Sequence, residues 1–233
     1  MAFGGAGLIA VLALIALVAG ARPGSGQASP TAPPPPVSTP SPTPSATDVS
    51  GTASDRTAGA LAQLQVALAD LPPGFSAAYQ RPLTNDDVAR ASANPNQTLQ
   101  QLQADGRLAA YQQRFDSSQP AVNGVQSSVS TTTFLFHTQD QALAQLDNTS
   151  FGPGQKPQPV TPPQIGTRAR AFRLSGTTPQ GGAYDEYLLG WVDGAMLNTL
   201  VYFAPAGQSD QQVALRIAHA LDQRVASFFP SGR

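Results

Sequence analysis

"AYDEYLLGWV" at residues 183–192 and "AMLNTLVYFA" at 195–204 flank a single dipeptide, Asp193-Gly194. Both runs are rich in aromatic and branched residues, and Asp-Gly supplies the positive φ angles that a two-residue turn needs to follow strand twist. The stretch therefore predicts an antiparallel hairpin turning at Asp193-Gly194. Beyond Pro205 and Gly207, Val213, Ile217, Leu221, Val225 and Phe228 fall on one helical face, with Ser209 placed as N-cap and Gln212 three residues on. Hairpin and closing amphipathic helix form a structural nucleus that carries no catalytic signature.

Upstream of this nucleus, Thr167 to Leu174 reads as a strand with Arg168, Arg170 and Phe172 on one side. Before it, the run from Asn148 to Gly166 is proline- and glycine-rich and long for an internal loop, which marks it as a mobile or functional connection. "TQDQALAQL" at 138–146 predicts a short helix capped by Thr138, with Leu143 and Leu146 facing inward. "RLAAYQQRF" and "VQSSVSTTTFLF" alternate as strands and pair antiparallel, and Asn123-Gly124 is a turn signal just before the second. Phe75 to Gln80 is a further short strand. Thr84 caps a helix whose first turn holds Asp86 and Asp87, and Gln97 to Ala104 forms another helical piece ending at Asp105-Gly106. Order begins near Thr57, where Leu61, Leu64, Leu68 and Leu71 recur at helical spacing until Pro72-Pro73-Gly74 stops the helix.

The N-terminal quarter has a different composition. Residues 1–21 hold an uninterrupted apolar run that reads as a signal peptide, with Ala19-Gly20-Ala21 as cleavage pattern, or as a membrane anchor formed by residues 2–21. The tether-like segment that follows favours the anchor; either way the remainder lies outside the cytoplasm, membrane-anchored or secreted after cleavage at Ala21. Residues 22–56 are a Pro/Ser/Thr-rich spacer that cannot bury enough apolar surface to offset its ordering entropy. One α+β domain then occupies 57–230, with an antiparallel sheet of about six strands and amphipathic helices, the terminal ones included, packed on it.

Several functions are excluded on composition. The 233 residues contain 13 Lys+Arg against 14 Asp+Glu, so there is no electrostatic footprint for nucleic acid. Cysteine is absent, which removes disulfides, thiolate nucleophiles and Cys-ligated metal. With only His137 and His219, a metal centre lacks ligands, and no cofactor is implied. Asp185 and Glu186 are adjacent in a strand and point to opposite faces, so they cannot act as the paired carboxylates of glycoside hydrolysis. No Gly-x-Ser-x-Gly elbow or phosphate loop occurs. What remains is a mixed aromatic and basic group, Tyr187, Trp191, Tyr202, Arg168 and Arg170, which forms a candidate ligand face or the less buried side of an ordinary sheet. The expectation is a non-catalytic binding module for a small molecule, an envelope component or a protein partner. An extracytoplasmic enzyme with an unrecognised site and a structural envelope protein are the alternatives.

"LPPGF" at 71–75, "GRLAAYQQRF" at 106–115, "VQSSVSTTTF" at 125–134 and "LLGWVDGAMLNTLVYF" leading into "ALRIAHALDQRV" resemble bacterial exported domains of unknown function. The layout is also similar to the α/β/α sandwich of PsbP-type photosystem subunits and mycobacterial LpqN-type lipoproteins, over about Ala58 to Phe229. That resemblance implies a PsbP-like sandwich and no catalytic residue. Lipoprotein members imply a cysteine after the apolar run, which this chain lacks.

Overall fold

The computed structural model describes residues 53–92, 94–149, 151 and 155–228; the leader or anchor at 1–21 and most of the spacer at 22–56 lie outside them. Helix α1 spans Ala53–Gln63 and a single 3-10 turn follows at Leu68–Asp70. Strand β1 is Phe75–Pro82, α2 Asn85–Arg90, α3 Pro95–Ala104, β2 Arg107–Ser117, β3 Ser128–Phe136 and α4 Gln139–Asp147. Then come β4 Gln158–Pro159, β5 Arg168–Thr177, β6 Ala183–Asp193, β7 Met196–Pro205 and α5 Gln211–Phe228. The strands form one open antiparallel sheet in the order β1-β2-β3-β7-β6-β5-β4. The seventh strand, against about six expected, is β4. It comes from the proline-rich 148–166 run and pairs only Gln158 with Arg173 and Pro159 with Phe172, at the edge where a proline is tolerated.

Strand alternation divides the core between two faces. On one, Phe115, Val129, Leu189, Leu200 and Trp191 pack with Leu61 of α1, Leu64 just beyond its end, and Ala214, Ile217, Ala218, Leu221 and Val225 of α5. On the other, Ala110, Phe134, Leu197 and Val192 meet Val88, Leu102, Ala142 and Leu146 from α2, α3 and α4. The result is a sheet between two helical layers, an α+β sandwich. The three short helices are gathered toward the Phe134 end, and a smaller cluster of Leu174, Leu188 and Val201 continues that face under Phe151 and Phe172.

Three local expectations shift. The central hairpin turns at Gly194 and Ala195, because Asp193 stays in the ladder opposite Met196. Gly194 takes the first central position with φ 55°, the place where a two-residue turn demands glycine. The register moves, yet Tyr187, Leu189 and Trp191 still share a face with Tyr202, Leu200 and Asn198. The first helix ends at Gln63 rather than running through Leu71. Leaving the helix lets the Gln65 amide donate to Thr133 Oγ1 at 3.0 Å and accept from Thr131, and it puts Leu68 in solvent, 53% exposed. The closing helix starts at Gln211 with Asp210 accepting from Gln212 N at 2.8 Å, since the Ser209 hydroxyl is drawn to Asp185 instead.

The other caps follow the sequence. Thr84 and Asp87 form a reciprocal capping box, as do Thr138 and Gln141. Arg224, which interrupts the apolar arc of α5, pairs with Asp70 of the 3-10 turn at 2.6 Å and so ties the last helix to the first segment. Leu221 is fully buried between α5 and the sheet. Leu221→Ala should cost about 2–5 kcal/mol, checked by urea unfolding followed through the fluorescence of Trp191, the sole tryptophan. A loss below about 1 kcal/mol would contradict this packing of α5.

Candidate functional site

An open cleft of about 330 Å³ lies where β2 ends, β3 begins and β7 stops. Its lining is Ser117, Gln119, Pro120, Val122, Val125, Ser127, Pro205 and Gln208. One wall is the 119–127 connection. Asn123 and Gly124, with φ 51° and 75°, make a tight turn, and Val122 and Val125 exchange both backbone hydrogen bonds at 2.9 Å. This small hairpin rests on Gly182, where a Cβ would stand 2.2 Å from Asn123 O, so only glycine allows the approach. At its base Ser117 N donates to Ser127 O at 2.9 Å, and the Gln126 amide donates to Ser117 O.

The other wall is the turn after β7, and Asp185 holds it. From its buried place near the start of β6, between β5 and β7, its carboxylate accepts from Gly207 N at 3.1 Å, Ser209 Oγ at 3.3 Å and Ser175 Oγ at 2.5 Å, and pairs with Arg173 at 3.1 Å. Burial alone would raise this carboxyl; the hydrogen bonds from Ser175, Gly207 and Arg173 outweigh it and hold Asp185 below its ordinary value. Glu186, one residue on, faces the other way. Its neighbours across the ladder are Leu174 and Phe203, its Oε1 is buried without a partner, and desolvation pushes the carboxyl up to about 7. Burial, and then the Glu186 charge, push Tyr184 up as well.

The sequence-predicted face does not assemble. Tyr187, Trp191 and Tyr202 lie 7%, 0% and 6% exposed in the cluster beneath α5, rather than on a partly open surface. Arg168 and Arg170 stand on the opposite face of the sheet, in register with Val192 and Gly190. There Arg168 pairs with Asp147, and Arg170 donates to the carbonyls of Leu146 and Asp147 at 3.2 and 2.9 Å, which satisfies the C-terminal end of α4. None of the five lines the cleft. The residues that do were missed because Asn123-Gly124, Pro205 and Gly207 signal only turns, and Gln119, Val122 and Gln208 carry no motif.

Arg107 is a second feature that local reading overlooked. Its guanidinium is buried over the Phe134 ring at 5.0 Å and donates to Leu83 O at 2.8 Å, and desolvation lowers its pKa to about 10. It serves the α2–α3 side of the core. Among the described residues no three His, Cys, Asp or Glu side chains come together as metal ligands.

Fold and cleft thus define a class: an α+β domain with a central antiparallel sheet between two helical layers and an uncharged cleft at one sheet end. The chain is similar to the crystal structure of the extracellular domain of PknH from Mycobacterium tuberculosis, with a TM-score of 0.51 over 76% of this chain and 97% of that one. Sequence identity is 10%, so the likeness is one of fold. No protein-family model matches the chain. Nor does any curated protein.

The two adjacent acids have opposite pH signatures. The raised Glu186 carboxyl gives a contribution that is complete below about 4.5, its ordinary value, and is lost as pH rises through about 7. Glu186→Gln should therefore be more stable than the natural chain at pH 8, by about 3 kcal/mol. The lowered Asp185 carboxyl stabilises above its ordinary 3.8 and ceases to do so as pH falls through its lower folded value. Asp185→Asn should thus lower the urea midpoint at pH 7 and narrow its gap to the natural chain at pH 2. Unfolding curves of both variants and the natural chain at pH 2, 7 and 8 check the pair.

Proposed function

We propose that this protein is an extracytoplasmic, non-catalytic recognition module, held at a membrane by residues 2–21 or released after Ala21. It takes a small ligand or a component of the cell envelope in the sheet-end cleft. The observation that carries the reading is the lining itself: eight residues, none of them ionisable, on walls already set by backbone hydrogen bonds and by Asp185. Such a cleft can bind and orient, but it holds no general acid or base and no activated nucleophile. Glu186, the carboxyl with the near-neutral pKa, does not line it.

The fold likeness to an extracellular domain supports the location, and an Asn/Pro/Gly-framed cleft on loops carried by a rigid sheet is a usual place for recognition. The PsbP-type and LpqN-type likeness of layout belongs to the same reading. Among the described residues no helix is long and apolar enough to cross a membrane, so anchoring rests on the apolar run at 2–21. Mass spectrometry of the native N-terminus decides between anchor and cleavage: an intact residue 2 means anchor, and Arg22 as the first residue means release. Thermal-shift screening of the full chain against metabolites and envelope fragments should yield stabilising ligands whose effect disappears in Val122→Trp. Stabilisation that survives this variant would move recognition away from the cleft.

A further inference from the structure

We infer that the sheet-end cleft recognises an uncharged sugar unit, a pyranose ring with its vicinal hydroxyls, and this rests on the recognition reading above. The lining excludes charge on the ligand, since a carboxylate, phosphate or ammonium entering it would leave water without a counter-charge to replace the lost solvation. Asp185, the nearest buried carboxylate of the wall, is consumed by Ser175, Gly207, Ser209 and Arg173.

The polar groups that remain are amphoteric. The amides of Gln119 and Gln208 make no side-chain hydrogen bond among the described residues, and each offers a donor beside an acceptor. Ser127 adds a hydroxyl of the same dual character, while Ser117 Oγ already accepts from Gln119 N at 3.1 Å. Adjacent sugar hydroxyls, each able to donate and accept, match paired amide groups. The other half of the lining is Pro120, Val122, Val125 and Pro205, apolar C–H surface suited to the C–H face of a ring.

Peptide recognition fits less well. Adding a strand needs free backbone groups, and here Ser117 N is bonded to Ser127 O while Val122 and Val125 bond each other. A proline-rich ligand docks on aromatic side chains, and the lining has none. The volume of about 330 Å³ lies at the small end of the roughly 300–1,000 Å³ typical of ligand pockets, which suits one or two rings. Without an aromatic platform the affinity should be weak, with Kd on the order of 1 mM for a disaccharide.

The test is a nuclear magnetic resonance titration of the full-length chain, purified in a detergent without a sugar headgroup. The methyls of Val122 and Val125 and the side-chain amides of Gln119 and Gln208 are followed. Maltose, trehalose and cellobiose are the neutral probes, glucuronic acid the charged one, and an octaproline peptide the competitor class. A neutral disaccharide should shift these signals saturably. The double variant Gln119→Ala, Gln208→Ala should weaken it about tenfold or more, and glucuronic acid should not bind. Both substitutions are at exposed positions, and an unchanged melting temperature confirms that the variant is folded. Tighter binding of a longer oligosaccharide than of the disaccharide supports a glycan chain as source, and equal affinity supports a free sugar. Shifts caused by the peptide and not by sugars overturn the sugar assignment while keeping the cleft as a binding site. Shifts caused by none of the probes at these four residues overturn the sugar assignment, and a flat thermal-shift screen beside them removes the recognition reading too.

Discussion

The burial of Trp191 between the central hairpin and α5 is the contact on which the other elements depend. The indole is fully enclosed, and around it Leu189, Leu200, Ile217 and Leu221 close a single apolar layer. Removing so much aromatic surface from water is among the largest favourable contributions one side chain makes. Because β6 and β7 are central strands, the same hairpin must also fill the Phe134 face, which it does with Val192 and Leu197. Every helix is thereby assigned a side. The two terminal ones lie on the Trp191 side, and the three short ones lie on the Phe134 side.

Alternation along β6 has a consequence beyond packing. Asp185 and Glu186 have almost the same chemistry and sit side by side in sequence, yet one turns toward Arg173 and a loop full of N–H groups and the other toward Leu174 and Phe203. The first is stabilised as an anion and organises the wall of the cleft. The second is desolvated, with Oε1 buried and unpartnered, and becomes a reluctant acid. A carboxylate that is a structural hub and one that is a strain on the fold differ here only in strand parity.

Much of the architecture was legible. The turn at Asn123-Gly124, the caps at Thr84 and Thr138, the pairing of β2 with β3 and the amphipathic α5 each rest on interactions within a few residues or on a repeated apolar period, and such signals survive without knowledge of the partner. Leu68 and Ser209 show the limit. Both obey their local pattern, and both are overridden by long-range hydrogen bonds, from Gln65 to Thr133 of β3 and from Ser209 to Asp185. The aromatic and basic face failed for a related reason. Tyr187, Trp191 and Tyr202 share one side of the sheet as expected, but periodicity cannot say which side receives the longer helix, nor that Arg168 and Arg170 stand behind it.

The sequence by itself determined six of the seven strands, most caps, the hairpin parity and the absence of any thiol, because composition and short-range periodicity act through neighbouring residues. Tertiary structure alone decided where the chain offers a cleft. Its walls come from three segments far apart in sequence, Ser117–Ser127, Gly182 and Pro205–Gln208, and none has a motif of its own. They meet because antiparallel pairing brings the end of β2, the start of β3 and the end of β7 to one end of the sheet, and because a buried aspartate on the neighbouring strand β6 holds the last turn in place.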